Sequence, residues 1–151
     1  MATIRPIEMH DAPAWSAMRA RLWPDADADE LARECRAFVA GTKQGIVDAA
    51  FLSLNDSVQP IGFIELSVRA FSDGCDSMPV PHVEGWYVEE SARGQGLGKA
   101  LMRAAEEWAR ERGYTELASD SELNNDAAQR AHSACGFEEV DRLVKFRKPL
   151  T

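Results

Sequence analysis

The chain has 151 residues, a formal net charge of −8 and a hydrophobic content of 45%. That is one ordinary globular domain, long enough to bury a core without disulfide or metal staples. The acidity argues against a nucleic-acid or anionic-membrane partner, each of which wants a basic face. No apolar run approaches the roughly 18–20 residues of a membrane span.

The elements follow in chain order. Thr3 to Ile7 reads as a short first strand. Pro13 is tolerated only near a helix start, and Trp15, Met18, Arg19 and Leu22 then fall along one helical face. Asp25 to Glu30 is an acidic entrance to a second helix, suited to the positive end of a helix dipole; Leu31, Cys35, Phe38 and Val39 form its stripe and Gly41 ends it. Ile46 to Leu54 and Ile61 to Val68 are strand-like runs separated by Asn55-Asp56-Ser57, which predicts a β-hairpin. Phe71 to Pro81 is a long loop of the kind that lines sites, and His82 to Val88 is the next strand.

The strongest helix signal is the repeat Leu97, Ala100, Leu101, Ala104, Ala105, Trp108, Ala109, capped by Gly113. Tyr114 to Ser119 reads as a short strand, Asn124 to Cys135 as a helix stopped by Gly136, and Phe137 to Arg147 as the last strand. The order β-α-α-β-β-β-α-β-α-β predicts a mixed α/β sheet covered by helices, with residues 1–151 as a single domain. The three cysteines, Cys35, Cys75 and Cys135, are odd in number, widely spaced and form no CxxC, so neither a disulfide framework nor a zinc site is expected. The N-terminus lacks a signal-peptide apolar stretch, which makes the cytoplasm the expected compartment.

Chemistry first enters at Arg93-Gly94-Gln95-Gly96-Leu97-Gly98-Lys99, between a strand and the strongest helix. Glycines there let backbone N–H groups approach an anion closely, and the helix start adds partial positive charge. A phosphate loop of the Walker type would need Gly at 93 and Ser or Thr at 100, where Arg93 and Ala100 stand; a dinucleotide fingerprint from Gly94 would need Gly at 99, where Lys99 stands. The remaining pattern is R-x-x-G-x-G, running Arg93, Gly96, Gly98.

That pattern, opening an amphipathic helix, resembles the acyl-CoA pyrophosphate loop of the GNAT superfamily of N-acetyltransferases. Asn124-Asn125 before the next helix and Ala134-Cys135-Gly136-Phe137 after it resemble the second CoA-contacting segment of that superfamily. The resemblance implies a GNAT fold: a mostly antiparallel central sheet with a splayed strand pair, flanked by about four helices. It implies acetyl-CoA as co-substrate and no metal. The backbone of Trp86, Tyr87 and Val88 would face the pantetheine arm, and a backbone N–H near Val88 would polarise the thioester carbonyl as an oxyanion donor. The loop Arg93, Gly94, Gln95, Gly96, Leu97, Gly98, Lys99 would hold the pyrophosphate, and Asn125 would contact the cofactor near its thiol arm.

A thioester attacked by an amine calls for carboxylates that hold an ammonium and relay its proton. Glu84, just before the CoA-contacting residues, and Asp120, ending the next strand, share one cleft if their strands are neighbours; the competing readings are a salt-bridged strand residue and a loop cap. The stretches Trp15 to Trp23 with Asp25, Val83 to Val88, and Ala118-Ser119-Asp120 with Asn124-Asn125 look like one branch of aminoglycoside 6′-N-acetyltransferases. That branch implies a cationic aminosugar contacted by Trp23, Asp25, Glu84, Asp120 and Asp141, with Phe71 where a Tyr is expected, and it implies a homodimer, one route to which is a shared C-terminal strand. Trp23 also reads as a core anchor of the first helix, and Asp141 as an exposed strand residue. Many superfamily members carry a Tyr acid four residues before the Gly-Phe pair, and here His132 occupies that position, either as a thiolate acid or without a role. His82, two residues from Glu84, is a further substrate-contact candidate. Transfer to another amine (polyamine, amino acid or protein N-terminus) and a non-catalytic CoA-binding sensor are the alternatives.

Overall fold

The computed structural model describes residues 2–151. Four strands form an open antiparallel sheet in chain order: β1 (Thr3–Pro6), β2 (Ala49–Leu54), β3 (Pro60–Arg69) and β4 (Val80–Val88). Four helices cover it: α1 (Ala12–Leu22), α2 (Ala28–Val39), α3 (Leu97–Glu111) and α4 (Asp126–Ala134). The period-two alternation of the strands serves two cores. Ala50, Leu52, Phe63 and Tyr87 face α1 and α2, where they meet Trp15, Met18 and Cys35. Ala49, Ile64, Leu66 and Val83 face Leu101, Met102 and Ala105 of α3. Among the described residues no helix is long and apolar enough to cross a membrane.

The helix starts are fixed by local chemistry. Asp27 caps α2 by accepting from the amides of Asp29 and Glu30 at 2.9 and 3.2 Å, and the acidic first turn complements the dipole as the sequence predicts. Pro13 sits at the start of α1. The Asn55-Asp56-Ser57 hairpin forms, with the Asn55 side chain accepting from the Ser57 and Gln59 amides at 2.9 Å each.

Two expected strands do not form as such. The segment read as a strand over Tyr114 to Ser119 pairs with β4 at one isolated parallel bridge, His82 with Ala118. Phe137 to Arg147 has no strand pairing among the described residues, and Val140, Leu143, Val144 and Phe146 stand exposed. A strand needs a partner ladder as well as apolar content, and that segment finds none within the chain. The second strand also begins at Ala49 rather than Ile46.

Three further features set up the site. In β4 the register with β3 slips so that Glu65 pairs with Gly85 and Leu66 with Val83, leaving Glu84 as the extra residue of a bulge. In the loop over residues 70–79, the Asp76 and Ser77 amides and the Ser77 hydroxyl donate to Glu116 Oε1 at 2.9, 2.6 and 2.6 Å, which ties this loop to the segment after α3. Beneath α1, the Arg19 guanidinium meets both oxygens of fully buried Glu65 at 3.0 and 3.1 Å, and Trp15 Nε1 donates to the same carboxylate at 3.0 Å. Burial pushes the neighbouring Cys35 thiol up to about 12, so it remains a thiol at neutral pH.

Removing one member of a buried ion pair leaves an uncompensated charge, which costs about 3–5 kcal/mol. Arg19→Met is expected to lower the unfolding free energy by that amount in urea titrations; a loss under about 1 kcal/mol would mean that the pair is not buried as described.

Candidate functional site

The site begins where β4 loses its second neighbour. Val83 N donates to Ala118 O at 2.8 Å and Ala118 N donates to Pro81 O at 2.9 Å. The pairing stops there, although β4 continues to Val88. Beyond that bridge the two segments part, and a cleft of about 280 Å³ opens along Trp86, Tyr87 and Val88. Its other walls are Ala92 to Gly94, Gly96 to Gly98, and Ala128 and Ala131 of α4.

The mouth of the cleft is the start of α3. Gly94 and Gly96 both adopt φ +81°, a conformation that costs a residue with Cβ roughly 1–2 kcal/mol. At Gly98 a Cβ would lie 3.4 Å from the Trp86 ring, whose Nε1 donates to Gly98 O at 3.0 Å. Unlike α2, α3 has neither a side-chain N-cap nor an acidic residue in its first turn. Its N-terminal amides and dipole are therefore uncompensated, which suits an anion. Arg93 is held back against β4, donating from Nε to Val88 O at 2.9 Å and stacking over Tyr87. Gln95 and Lys99 are exposed and lie outside the cleft lining, whereas Ala128 and Ala131, which the sequence does not single out, are in it. Asn125 caps α4, its side-chain oxygen accepting from Ala128 N at 3.0 Å.

At the bridge end, the bulge turns Glu84 onto the α1 side of the sheet. Its Oε2 accepts from Ser67 Oγ at 2.6 Å and Arg69 Nε at 3.0 Å, and its Oε1 accepts from Arg69 Nη2 at 2.7 Å. The side chain is only 10% exposed. Burial raises the Glu84 pKa, but the nearby His82 ring, the Arg69 guanidinium and the Ser67 hydroxyl lower it by more, and the carboxyl is held far below the usual range. His82 is buried between the two carboxylates, with Nδ1 at 3.4 Å from Glu84 Oε2 and Nε2 at 3.6 Å from Asp120 Oδ2. Those spacings are electrostatic contacts rather than formed hydrogen bonds, and Nδ1 has no hydrogen-bond partner. Asp120 is 64% exposed, at the rim.

Trp23 ends α1 and lies over Gly85, where a Cβ would come within 2.9 Å of its ring. The Arg19 guanidinium, anchored on Glu65, stacks on the Trp23 ring at 5.2 Å. Trp23 is therefore a partly buried wall over Gly85, the residue that follows Glu84. Asp25 is exposed in the turn after α1, and Phe71 is exposed in the loop. Asp141 lies in the extended tail, where it accepts from the Arg142 amide at 2.8 Å. The tail packs against the loop at Gly74, where a Cβ would fall 2.3 Å from Val140.

His132 is locked in place. Its Nδ1 is 2.6 Å from Ala128 O, and since a carbonyl only accepts, Nδ1 carries the proton. In the neutral ring Nε2 then accepts from Ser119 Oγ at 2.7 Å. Trp86 and Phe137 pack edge-on against the ring. Neither ring nitrogen of His132 points freely into the cleft, so any proton it supplied would pass through the Ser119 hydroxyl. Among the described residues, the one grouping close enough to hold a metal is Glu8, His10 and Asp11, outside this cleft, and Asp11 is already paired with Arg5 at 2.6 Å.

The loop, Glu84 and Asp120, named from the sequence, lie along one side of β4. The contacts of Arg69, Ser67 and Ser119, and the placement of His82 between the carboxylates, are not among the sequence expectations. The period-two spacing of Ser67 and Arg69 on β3 puts both on one face, but their register against Glu84 depends on a bulge that the sequence does not announce.

Comparison with known proteins adds to this geometry. The family model "Acetyltransferase (GNAT) family" matches residues 7–137. The chain is 46% identical over 147 residues to an aminoglycoside N(6′)-acetyltransferase type 1 of Klebsiella aerogenes, covering 97% of this chain and 96% of that protein. It is 42% identical over 154 residues to an aminoglycoside N(6′)-acetyltransferase type 1 of Stenotrophomonas maltophilia, covering 98% and 94%. It superposes with TM-score 0.88 and 33% identity, over 99% of both chains, on AAC(6′)-Iy in complex with the bisubstrate analog CoA-S-monomethyl-acetylneamine.

The depressed pKa of Glu84 carries a sign for stability. The folded-state value lies below the unfolded one, so Glu84 stabilises the fold at pH above the ordinary carboxylate range and loses that contribution as pH falls toward the folded value. Glu84→Gln is expected to be less stable than wild type at pH 7, with the gap closing on acidification below about pH 4.3, the ordinary glutamate value. Parallel pH-dependent unfolding curves of the two proteins would contradict the ion pair.

Proposed function

The chain belongs to the GNAT acetyltransferase family, and we propose that it transfers the acetyl group of acetyl-CoA to the 6′-amino group of an aminoglycoside by direct attack in a ternary complex. The observation that carries this reading is a continuous path along β4: an anion-ready loop and open backbone at Trp86–Val88, running into the paired carboxylates Glu84 and Asp120 beside Trp23. Relatives up to 46% identical over almost the whole chain are aminoglycoside N(6′)-acetyltransferases, and a structure superposing on 99% of this chain holds a CoA–acetylneamine analog.

In this reading the amides of Gly94 to Gly98 hold the CoA pyrophosphate. The pantetheine arm lies along the backbone of Trp86, Tyr87 and Val88, an N–H near Val88 donates to the thioester oxygen, and Asn125 approaches the thiol arm. The aminoglycoside enters from the side of Trp23, Asp25, Phe71 and Asp141. Glu84 has about four acceptor positions, of which Ser67 and Arg69 fill three. The remaining position, on Oε1, together with exposed Asp120, holds the substrate ammonium. Glu84 positions the cation but does not take its proton, because an acceptor works best with a pKa near the working pH and Glu84 is held far below it. In this reading the departing CoA thiolate takes the second proton of the attacking amine, since a neutral His132 spends its one N–H on Ala128 O and accepts from Ser119 at the other nitrogen. The net charge of −8 steers a polycation toward the site.

We read residues 1–151 as one cytoplasmic acetyltransferase domain that works as a homodimer. The support for pairing is the extended segment after Gly136, whose Val140, Leu143, Val144 and Phe146 are exposed and unpaired, as a strand awaiting a second copy would be.

Thiol release from acetyl-CoA, with kanamycin, spermidine and a basic peptide offered separately, tests the reading. Saturable turnover on kanamycin far above the other two is expected. Asp120→Asn should raise the kanamycin KM at least tenfold while leaving the acetyl-CoA KM within about twofold, since truncating a charged contact costs about 1.5–3 kcal/mol. Turnover confined to another amine would reject the aminoglycoside assignment, and CoA binding without turnover on any amine would favour a sensor.

A further inference from the structure

The proton that leaves the substrate ammonium needs an acceptor, and the site offers one that neither the sequence pattern nor the ion pairs assign. His82 is 2% exposed, yet both of its ring nitrogens face carboxylates: Nδ1 toward Glu84 Oε2 at 3.4 Å and Nε2 toward Asp120 Oδ2 at 3.6 Å. A neutral imidazole carries one N–H. Whichever tautomer is present, the other nitrogen presents a lone pair to a carboxylate, and the buried Nδ1 lacks a hydrogen-bond partner in this structure. One added proton removes the conflict, because both nitrogens then turn a positive N–H toward a carboxylate, an electrostatic contact that needs no further acceptor position on Glu84 Oε2. Imidazole is also the side chain whose charge changes most readily between pH 5 and 8.

We propose that His82 is the positioning residue that receives the substrate's proton, acting through Asp120. This rests on the acetyl-transfer reading above. The ammonium binds at Asp120 and the open face of Glu84. One N–H bond of the ammonium breaks and its proton passes to Asp120; exposed Asp120 then closes the 3.6 Å gap to hydrogen-bond distance and hands the proton to Nε2 of the Nδ1–H tautomer of His82, while the freed lone pair attacks the thioester carbon. As the C–S bond breaks, the thiolate takes the second amine proton and leaves as the thiol. The imidazolium afterwards returns its proton to water, so the products are the amide, CoA thiol and one released proton. The charged groups around His82 are Glu84 on its own strand, Asp120 on the segment after α3, and Arg69 on β3, which reaches it through Glu84; Ser67 is the uncharged polar neighbour opposite on β3. Glu84 on one side and Asp120 on the other are the groups toward which the two N–H bonds of a doubly protonated ring would point.

His82→Gln keeps a polar side chain of similar size that does not titrate. At pH 7 its kcat on kanamycin is expected to fall about 100-fold, the scale of a lost general base, while the acetyl-CoA KM stays within about twofold. The wild-type limb of kcat/KM between pH 5 and 8 should be replaced by a steady rise with pH as water or hydroxide takes over. A variant within about threefold of wild type with the same limb overturns the assignment of His82 alone, whereas a wild type that turns over no amine overturns the acetyltransferase reading and this proposal with it. If the variant fails to fold, nitrogen NMR of the wild-type imidazole decides: its protonation state must change with pH across that limb and on binding kanamycin. A ring that keeps one protonation state throughout overturns the proposal.

Discussion

The molecule is organised around one constraint on β4, which has a full strand partner on one side and only a single bridge on the other. Backbone N–H and C=O groups near a protein interior require partners. β4 satisfies one row against β3, but the second row ends at Ala118. What remains over Trp86 to Val88, apart from the Val88 carbonyl held by Arg93, is a strand edge at the bottom of a cleft, with an uncapped helix start at its mouth. Closing the pair would give a better sheet and no site. The bulge adds the second half of the device: one extra residue re-aims Glu84 toward α1, so the carboxylates lie beside the open edge rather than under α3.

Two buried or half-buried arginine–glutamate pairs flank this strand and do different work. Arg19 and Glu65 form a closed unit, with every oxygen of the carboxylate engaged and Trp15 and Trp23 stacked on the guanidinium. Its product is a rigid wall: Trp23 pressed on Gly85, where no larger residue fits. Arg69 and Glu84 form an open unit, since Arg69 is partly exposed and one acceptor position on Glu84 is free. A polycation can share that carboxylate or compete for it. The same residue types thus provide stability under α1 and recognition at the rim, and the difference lies in exposure.

Much of this is legible in the sequence because it rests on local rules. The glycines of residues 94–98 announce a loop whose amides can approach an anion, the α3 stripe announces one buried face, and the failed spacing tests at residues 93, 99 and 100 exclude two other nucleotide loops. Glu84 and Asp120 were placed by strand order and family resemblance, and the structure brings them together through His82. What escaped depends on register and on partners. The bulge at Glu84 leaves the apolar alternation almost intact, so Arg69 and Ser67 could not be matched to it. Tyr114 to Ser119 and Phe137 to Arg147 have strand-like composition, yet one forms a single bridge and the other no ladder. The sequence leaves the role of His132 open because the Ser119 and Ala128 contacts that fix its tautomer come from two separate elements.

The most direct measurement is a crystal structure of the protein with CoA and kanamycin bound together. The account requires the pyrophosphate on the amides of Gly94 to Gly98, the thiol arm along Trp86 to Val88, and the 6′-amine within hydrogen-bond reach of Asp120 with Trp23 beside the sugar. A CoA thiol arm lying elsewhere, or an aminoglycoside seated away from Glu84 and Asp120, would contradict the claim that the open edge of β4 joins the two substrates.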